Sequence, residues 1–213
     1  RGITTVVADH INAVFPTGRR VALLGRNGAG KSSLLKMIAG NLDPDSGEIL
    51  STGTISWPVG YAGSFHGDLT GAQNVRFIAR VYGVDTEELC DFVEEFAQIG
   101  PHFYLPVRHY SSGMRAKLAF GTSMGIAFDT YLVDESTAVG DAAFRIKSQR
   151  YFMDRMTSAS AIFVSHGLKM VRELCDCGAV LENGQLHFYD DIATAIDHHN
   201  ANMKATRDDE EDA

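Results

Sequence analysis

Basic residues are in short supply in this chain: 19 Lys and Arg stand against 27 Asp and Glu, for a net charge of −8. That deficit argues against a binder of nucleic-acid backbones, whose affinity comes mainly from cationic side chains displacing counterions. Half of the net charge sits in the run Arg207–Ala213, five acids and one Arg, which reads as a solvated, disordered tail. Long apolar runs are missing too. The stretch Leu118–Phe128 carries Gly, Thr and Ser among its 11 residues, whereas a bilayer-spanning helix needs about 20 apolar residues. The start Arg1–Thr5 has no basic segment followed by an apolar one, so no secretory leader is read there. It also has no Met, which reads as an incomplete or processed N-terminus. Cysteines number three, Cys90, Cys175 and Cys177, without the paired spacing of a zinc site or a disulfide framework. A reducing, cytoplasmic compartment fits this usage.

What remains is ordinary globular composition, 45% hydrophobic and 22% charged over 213 residues, enough for one well-buried core. Val21–Leu24 is a short apolar run ending at Gly25, the pattern of a strand covered on both faces. Ser32–Ala39 repeats its apolar residues at helical spacing, and Gly40 is a natural stop. Residues 41–60 read as a turn followed by short strands through Ile49, Leu50, Ile55 and Trp57. A helical block from about Leu69 to Phe120 then interrupts the strand pattern. Strands return at Thr130–Asp134, Ala161–Ser165 and Ala179–Leu181, and Glu182-Asn183-Gly184-Gln185 predicts a hairpin into Leu186–Tyr189. The expected organisation is a single α/β domain over 1–206, with a helical subdomain inserted at about 68–120 and the acidic tail at 207–213.

Gly25-Arg26-Asn27-Gly28-Ala29-Gly30-Lys31-Ser32 fits G-x-x-x-x-G-K-[ST] at every fixed position and lies between a predicted strand and a predicted helix. The chemistry explains the spacing. Gly25, Gly28 and Gly30 permit positive φ and close backbone approach. Successive amides then form an anion nest at the positive end of a helix dipole. Lys31 supplies a point charge for the β- and γ-phosphates, Ser32 a hydroxyl ligand for Mg²⁺, and Ser33 completes the first turn facing the phosphates. The residues Gly25–Ser33 are therefore the expected nucleoside-triphosphate site.

Tyr131-Leu132-Val133-Asp134-Glu135 is an apolar strand ending in two carboxylates. Acids at strand ends are common; downstream of a phosphate loop they gain separate roles. Asp134 is expected to hold Mg²⁺, and Glu135 to take the proton of the attacking water. His166 follows the apolar strand Ile162–Val164 and Ser165. A lone His there is usually structural, but parallel strands present their carboxyl ends on one sheet edge, where the loop, the acids and His166 would converge.

Tyr110-Ser111-Ser112-Gly113-Met114 resembles the ABC-transporter signature L-S-G-G-Q in a variant form. The order phosphate loop, helical insert, signature, Asp-Glu strand and His strand resembles the ATPase subunit of an ABC exporter over nearly the whole chain. A narrower resemblance, to exporters of capsular polysaccharide in Gram-negative bacteria, rests on Ile55–Pro58, Asp68–Gly71 with Asn74-Val75, and Tyr110–Met114 with Ala138–Asp141. The resemblance implies a RecA-like P-loop NTPase core with an N-terminal β subdomain and an inserted helical subdomain. It implies ATP and Mg²⁺ as cofactors, with Glu135, His166 and Lys31 catalytic. Ser111, Ser112, Gly113 and Met114 of one copy would clamp the nucleotide on a second copy, and Asp141 would cross between them. It further implies integral membrane permease partners, a larger assembly with periplasmic or outer-membrane components, no nucleic acid, membrane contact through protein partners only, and a place on the cytoplasmic face of the inner membrane.

Two residues depart from the family pattern. His66 stands where the family has a Gln that senses Mg²⁺ and couples to the membrane subunit, and residues 1–14 hold no aromatic to stack on adenine. Stretches near His66–Thr70 and Phe103–Val107 are expected to form the docking groove for a membrane subunit. Other readings are an exporter of O-antigen or teichoic acid, some of which carry an extra C-terminal carbohydrate-binding domain where this chain shows only an acidic tail soon after His199, and a soluble ABC ATPase, which usually has two cassettes or long coiled-coil insertions. The signature before the Asp-Glu strand weighs against a small-molecule kinase or GTPase.

Overall fold

The computed structural model describes residues 6–134, 140–165 and 167–211, with side chains to residue 204. The chain divides into two compact units. One takes in the described residues up to Ile55, those from Asp129 to Asp134 and those from Ala159 onward; the other takes in Ser56–Phe128 and the described residues to Ser158.

The first unit is built on β1 (Arg20–Leu24), helix α1 (Lys31–Ile38), β3 (Thr130–Asp134), β4 (Ser160–Val164), helix α6 (Leu168–Leu174), β5 (Cys177–Glu182), β6 (Gln185–Tyr189) and helix α7 (Ile192–Glu211). Its strands run in the order β3-β4-β1-β5-β6. All neighbours are parallel except β5 and β6. Central position explains composition: Val21, Ala22, Leu23 and Leu24 are each no more than 1% exposed, so β1 is apolar on both faces. Leu34 and Leu35 of α1 pack on Leu23, Leu132, Ile162 and Leu181. The predicted hairpin forms with Asn183 at φ 48° and Gly184 at φ 77°, the paired left-handed residues that match strand twist.

Arg20 and Asp176 tie the start of β1 to the chain before β5. The Asp176 carboxylate accepts from Arg20 Nη2 at 2.7 Å, Nε at 3.2 Å and the Arg20 backbone at 2.9 Å. The guanidinium hydrogen bond holds the Asp176 carboxyl below its usual range. A depressed carboxyl stabilises the fold above its unfolded value near 4 and loses that contribution as pH falls through the lower folded value. Asp176→Asn is expected to lower stability by about 1–2 kcal/mol at pH 7, the pair being one-third exposed. Urea unfolding at pH 7 and below pH 4 checks it: the gap to wild type should close in acid. Burial pushes the neighbouring Cys175 thiol up to about 12, so it is a packed, unreactive group. Among the described residues, no group of three or more His, Cys, Asp or Glu is arranged for a metal.

Residues 6–19 and 40–54 form no strand. Of the short strands expected in 41–60, the one through Ile55 and Trp57 forms as Ile55–Pro58, whereas those through Ile49 and Leu50, and strands of an N-terminal β subdomain before Arg20, are absent among the described residues. Ile49 is 44% and Leu50 82% exposed, beside a run of Gly, Asp, Ser and Pro that favours turns over pairing. The backbone of α7 continues to Glu211, so the acidic stretch begins within a helix; Asp212 and Ala213 lie outside the described residues.

The second unit holds most of β2 (Ile55–Pro58), then α2 (Gly71–Tyr82), α3 (Thr86–Ala97), two short 3-10 turns (Gly100–Tyr104 and Val107–His109), α4 (Ser112–Gly125) and α5 (Ala142–Arg155). Local chemistry starts each helix. Thr70 and Gln73 form a reciprocal capping box before α2, and Asp85, Ser111 and Asp141 each accept a first-turn amide of α3, α4 and α5. Phe92, Phe96, Phe120, Phe144 and Tyr151 form the aromatic core that joins α3, α4 and α5, with ring centroids 5.3–6.4 Å apart. Among the described residues, no helix is long and apolar enough to cross a membrane.

Candidate nucleotide-binding site

The loop after β1 has the backbone its sequence demands. At Gly25, φ is 153° and an added Cβ would lie 2.5 Å from the Leu181 carbonyl oxygen of β5. Gly30, at φ 99°, is the N-cap of α1, and no side chain caps that helix. A Cβ there would collide with Val7. The first turn of α1 carries no acid, so its amides and dipole face an anion without competition from a carboxylate. Lys31 is 8% exposed, and its Nζ donates to the carbonyl oxygens of Gly25 at 2.7 Å and Arg26 at 2.8 Å. The ammonium is therefore held inside the loop, where the phosphates of a bound nucleotide would lie.

Strand register brings Asp134 to the same edge. Ala22 and Val133 both pair with Phe163, so Asp134, at the end of β3, stands level with Leu23 and two residues short of Gly25. Two strand spacings, about 10 Å, separate them. That gap would leave room for a triphosphate, and Asp134 is the carboxylate there that would hold a divalent cation. Glu135 and His166, and the Ala138-Val139 pair before Gly140, lie outside the described residues. Ser165, the residue before His166, is buried, and its Oγ accepts the Gly167 amide at 3.0 Å.

In the second unit the signature residues open α4. Ser111 Oγ accepts the Met114 amide at 3.2 Å. Acting as acceptor there leaves the hydroxyl proton to donate elsewhere. Ser111 and Ser112 are exposed, and the Ser112 and Gly113 amides lie in the first turn of α4, whose Met114 amide is the one that Ser111 caps. Tyr110 differs: it is 4% exposed, its hydroxyl donates to the His102 carbonyl at 2.6 Å, and burial pushes its pKa up to about 12.

Asp141 does more than sequence reasoning asked of it. One oxygen accepts the Phe144 amide at 3.0 Å, and the other accepts from Lys117 Nζ of α4 at 2.7 Å. Lys117 and that amide hold the carboxyl at about 2. The pair joins the signature helix to the start of α5 within one copy of the chain. Lys117 was not singled out from the sequence, because a Lys in the second turn of a helix has no distinguishing local pattern. Lys117→Met is expected to move the Asp141 carboxyl from about 2 toward its ordinary value near 4, and carboxyl NMR titration reads that shift. Because the folded value is depressed, the contribution of Asp141 is complete above about pH 4 and lost as pH falls through about 2; in Lys117→Met the loss comes at higher pH.

His66 is organised by a residue whose role sequence reasoning also missed. The Asn74 side chain, 2% exposed, accepts the His66 amide at 2.8 Å and donates to the carbonyls of His66, Leu69 and Thr70. His66 Nδ1 accepts the Asp68 amide at 3.3 Å, which assigns the ring proton to Nε2 and makes the outer nitrogen a donor. A metal-ligating His66 would have to give up that arrangement. The loop pairs with the 105–109 stretch through Val107 N to Leu69 O and Arg108 N to Gly67 O. Of the residues expected to line a docking groove, Phe103 and Val107 are buried at 1% and 3% and act as core. Leu69, Tyr104 and Leu105 are exposed, as are Phe77 and Val81, one turn apart on α2.

Comparison with known proteins bears on this arrangement. A family model described as ABC transporter matches residues 8–138. The polysialic acid transport ATP-binding protein KpsT of Escherichia coli is 49% identical over 194 residues, covering 90% of this chain and 87% of that protein. The capsule polysaccharide export ATP-binding protein CtrD of Neisseria meningitidis is 42% identical, covering 94% and 93%. A solved structure of the ATP-binding subunit of an ABC transporter superposes with a TM-score of 0.69 at 21% identity, covering 93% of each chain; at that identity the likeness is one of fold.

Proposed function

The chain belongs to the ABC transporter family of ATP-binding proteins, and from that premise we propose that it is the ATP-hydrolysing subunit of a capsular polysaccharide exporter. The observation that carries the ATPase reading is the glycine loop with Lys31 inside it, on the sheet edge that also bears Asp134. The polymer class is supported by the names of the two relatives at 49% and 42% identity.

Loop amides of Gly25–Ser33 bind the β- and γ-phosphates, and Lys31 Nζ exchanges its two carbonyl partners for phosphate oxygens. Ser32 and Asp134 fit Mg²⁺, being a hydroxyl and a carboxylate of the hard-oxygen type it prefers. When bound, Mg²⁺ neutralises charge on the phosphates. A Glu135 carboxylate oxygen takes a proton from water as that water attacks the γ-phosphorus. The bond from the γ-phosphorus to the β–γ bridging oxygen breaks, giving ADP and phosphate. His166 donates to the γ-phosphate from the end of β4.

A second copy completes the site. Ser111 through its hydroxyl proton, and Ser112, Gly113 and Met114 through the positive end of α4, face the γ-phosphate held by the partner copy. Asp141, fastened to Lys117, ties the start of α5 to that helix. Loss of the γ-phosphate removes the contact, so hydrolysis favours opening by the difference in affinity of the two states for ATP and ADP. In this reading opening and closing act on integral membrane subunits through the exposed face of Leu69, Tyr104 and Leu105, with the chain working at the cytoplasmic face of the inner membrane within a larger export assembly. The test is co-purification with the untagged membrane partner. ATPase activity should rise in the complex, and capsule export should fail when Ser111→Arg blocks the shared site. Full export with that variant would overturn the proposal.

A further inference from the structure

Within the second unit, an open groove of about 930 Å³ runs between helices α3 and α5. None of the residues lining it belongs to the phosphate loop, the signature turn or the Leu69, Tyr104 and Leu105 face. Its floor is aromatic. Phe92 and Phe96 of α3 meet Tyr151 of α5 with ring centroids 5.5 and 5.3 Å apart, and Phe92 and Tyr151 are only half-buried. On the α5 wall, Ile146 is 72% and Met153 40% exposed. We propose that this groove is the docking site for an amphipathic helix of a partner protein, one whose apolar stripe is flanked by carboxylates.

Shape selects a helix. Ala143, Ile146, Arg150 and Met153 line the groove at spacings of three and four, so the α5 wall is a helical ridge. Two helices with a trough between them accept the ridge of a third. An extended peptide would instead need a strand edge with free backbone groups, and both walls are helices whose amides and carbonyls bond internally.

Charge selects the flank. In a chain of net charge −8, α5 carries four basic residues against the single acid Asp154. Two of those cations line the groove. Lys147 is occupied: its Nζ donates to the Glu95 and Phe96 carbonyls at the end of α3, at 3.3 and 3.2 Å, and lies 4.7 Å from the Phe96 ring centroid. Arg150 is exposed and has no hydrogen bond or ion pair among the described residues. Its planar fork, set between Ile146 and Met153 on one ridge, suits a bidentate carboxylate from outside. Helix α3 argues against a lipid surface as the source of that anion. It carries five acids and no base, so an anionic bilayer laid along α5 would meet the carboxylates of the opposite wall. A helix narrow enough to enter the trough can turn its acids to Arg150 alone.

Fluorescence anisotropy of the full chain with two labelled helical peptides of about 18 residues tests the assignment. Both peptides carry a Leu stripe at spacings of three and four; one has Glu along one flank of the stripe, and its twin has Lys there. Wild type should bind the acidic peptide about tenfold or more tightly than the twin. Arg150→Glu should reverse that order, and Ile146→Asp should remove binding of both. Both positions are exposed, so thermal midpoints should stay as in wild type. Binding indifferent to the sign of the flank, binding that survives Ile146→Asp, or no binding of either peptide overturns the proposal. Co-sedimentation with phosphatidylglycerol vesicles that Arg150→Glu abolishes would assign the face to a membrane, and self-association that Ile146→Asp abolishes would assign it to a second copy; either result overturns the partner helix. If Ile146→Asp fails to fold, the reversal in Arg150→Glu alone decides.

Discussion

Glu135→Gln is expected to hold ATP and fail to turn it over. The amide has the shape of the carboxylate but takes up no proton at neutral pH, and general-base help is worth about 10²–10⁴ in rate. Because the γ-phosphate then persists between two copies, the variant should run as a dimer on size exclusion with Mg-ATP and as a monomer with Mg-ADP. Wild type should show the dimer only transiently. Two readouts are needed, turnover and mass, since loss of turnover alone could follow from any damage near Asp134. A Glu135→Gln chain that binds ATP yet remains monomeric would remove the shared-nucleotide mechanism from the isolated protein, and full turnover in that variant would remove Glu135 from its role.

Lys31→Ala should instead abolish binding. The Nζ is nearly enclosed and sits on the carbonyls of Gly25 and Arg26, so a phosphate entering the loop meets a cation already in place. Truncating one partner of such a charge pair costs about 2–5 kcal/mol, roughly 30-fold or more in Kd, with hydrolysis lost. Lys31→Arg should not restore it: a planar guanidinium is wider than an ammonium, and the loop around it is closed by Gly25 against Leu181. Calorimetry with Mg-ATP reads the affinity, and thermal unfolding without nucleotide guards against a folding defect. Unchanged affinity in Lys31→Ala would dissociate the loop from nucleotide binding. The two variants thus separate holding ATP from consuming it.

The features legible in the sequence are those whose physics is local. Strand β1 shows itself because a strand covered on both faces must be apolar throughout, and Val21–Leu24 is. The phosphate loop is readable because left-handed backbone at Gly28 and Gly30 and a close approach at Gly25 admit glycine. The Asn183-Gly184 turn is readable for the same reason. Ile49 and Leu50 misled because a short apolar pair after a turn predicts a strand, while pairing needs a partner edge that the exposed 40–54 segment does not find.

What only tertiary structure decided depends on residues far apart in the chain whose individual types are unremarkable. Lys117 meets Asp141 across 24 positions, and Asn202 meets Glu182 across 20. Asn74 fixes the backbone around His66 from inside α2. A Lys, an Asn or a Glu on a helix or strand end is by default a solvated side chain, and its neighbours within a turn do not say otherwise. Packing of α4 on α5, and of α7 on the β5–β6 hairpin, selects which polar groups face one another, and so turns ordinary surface residues into linked pairs.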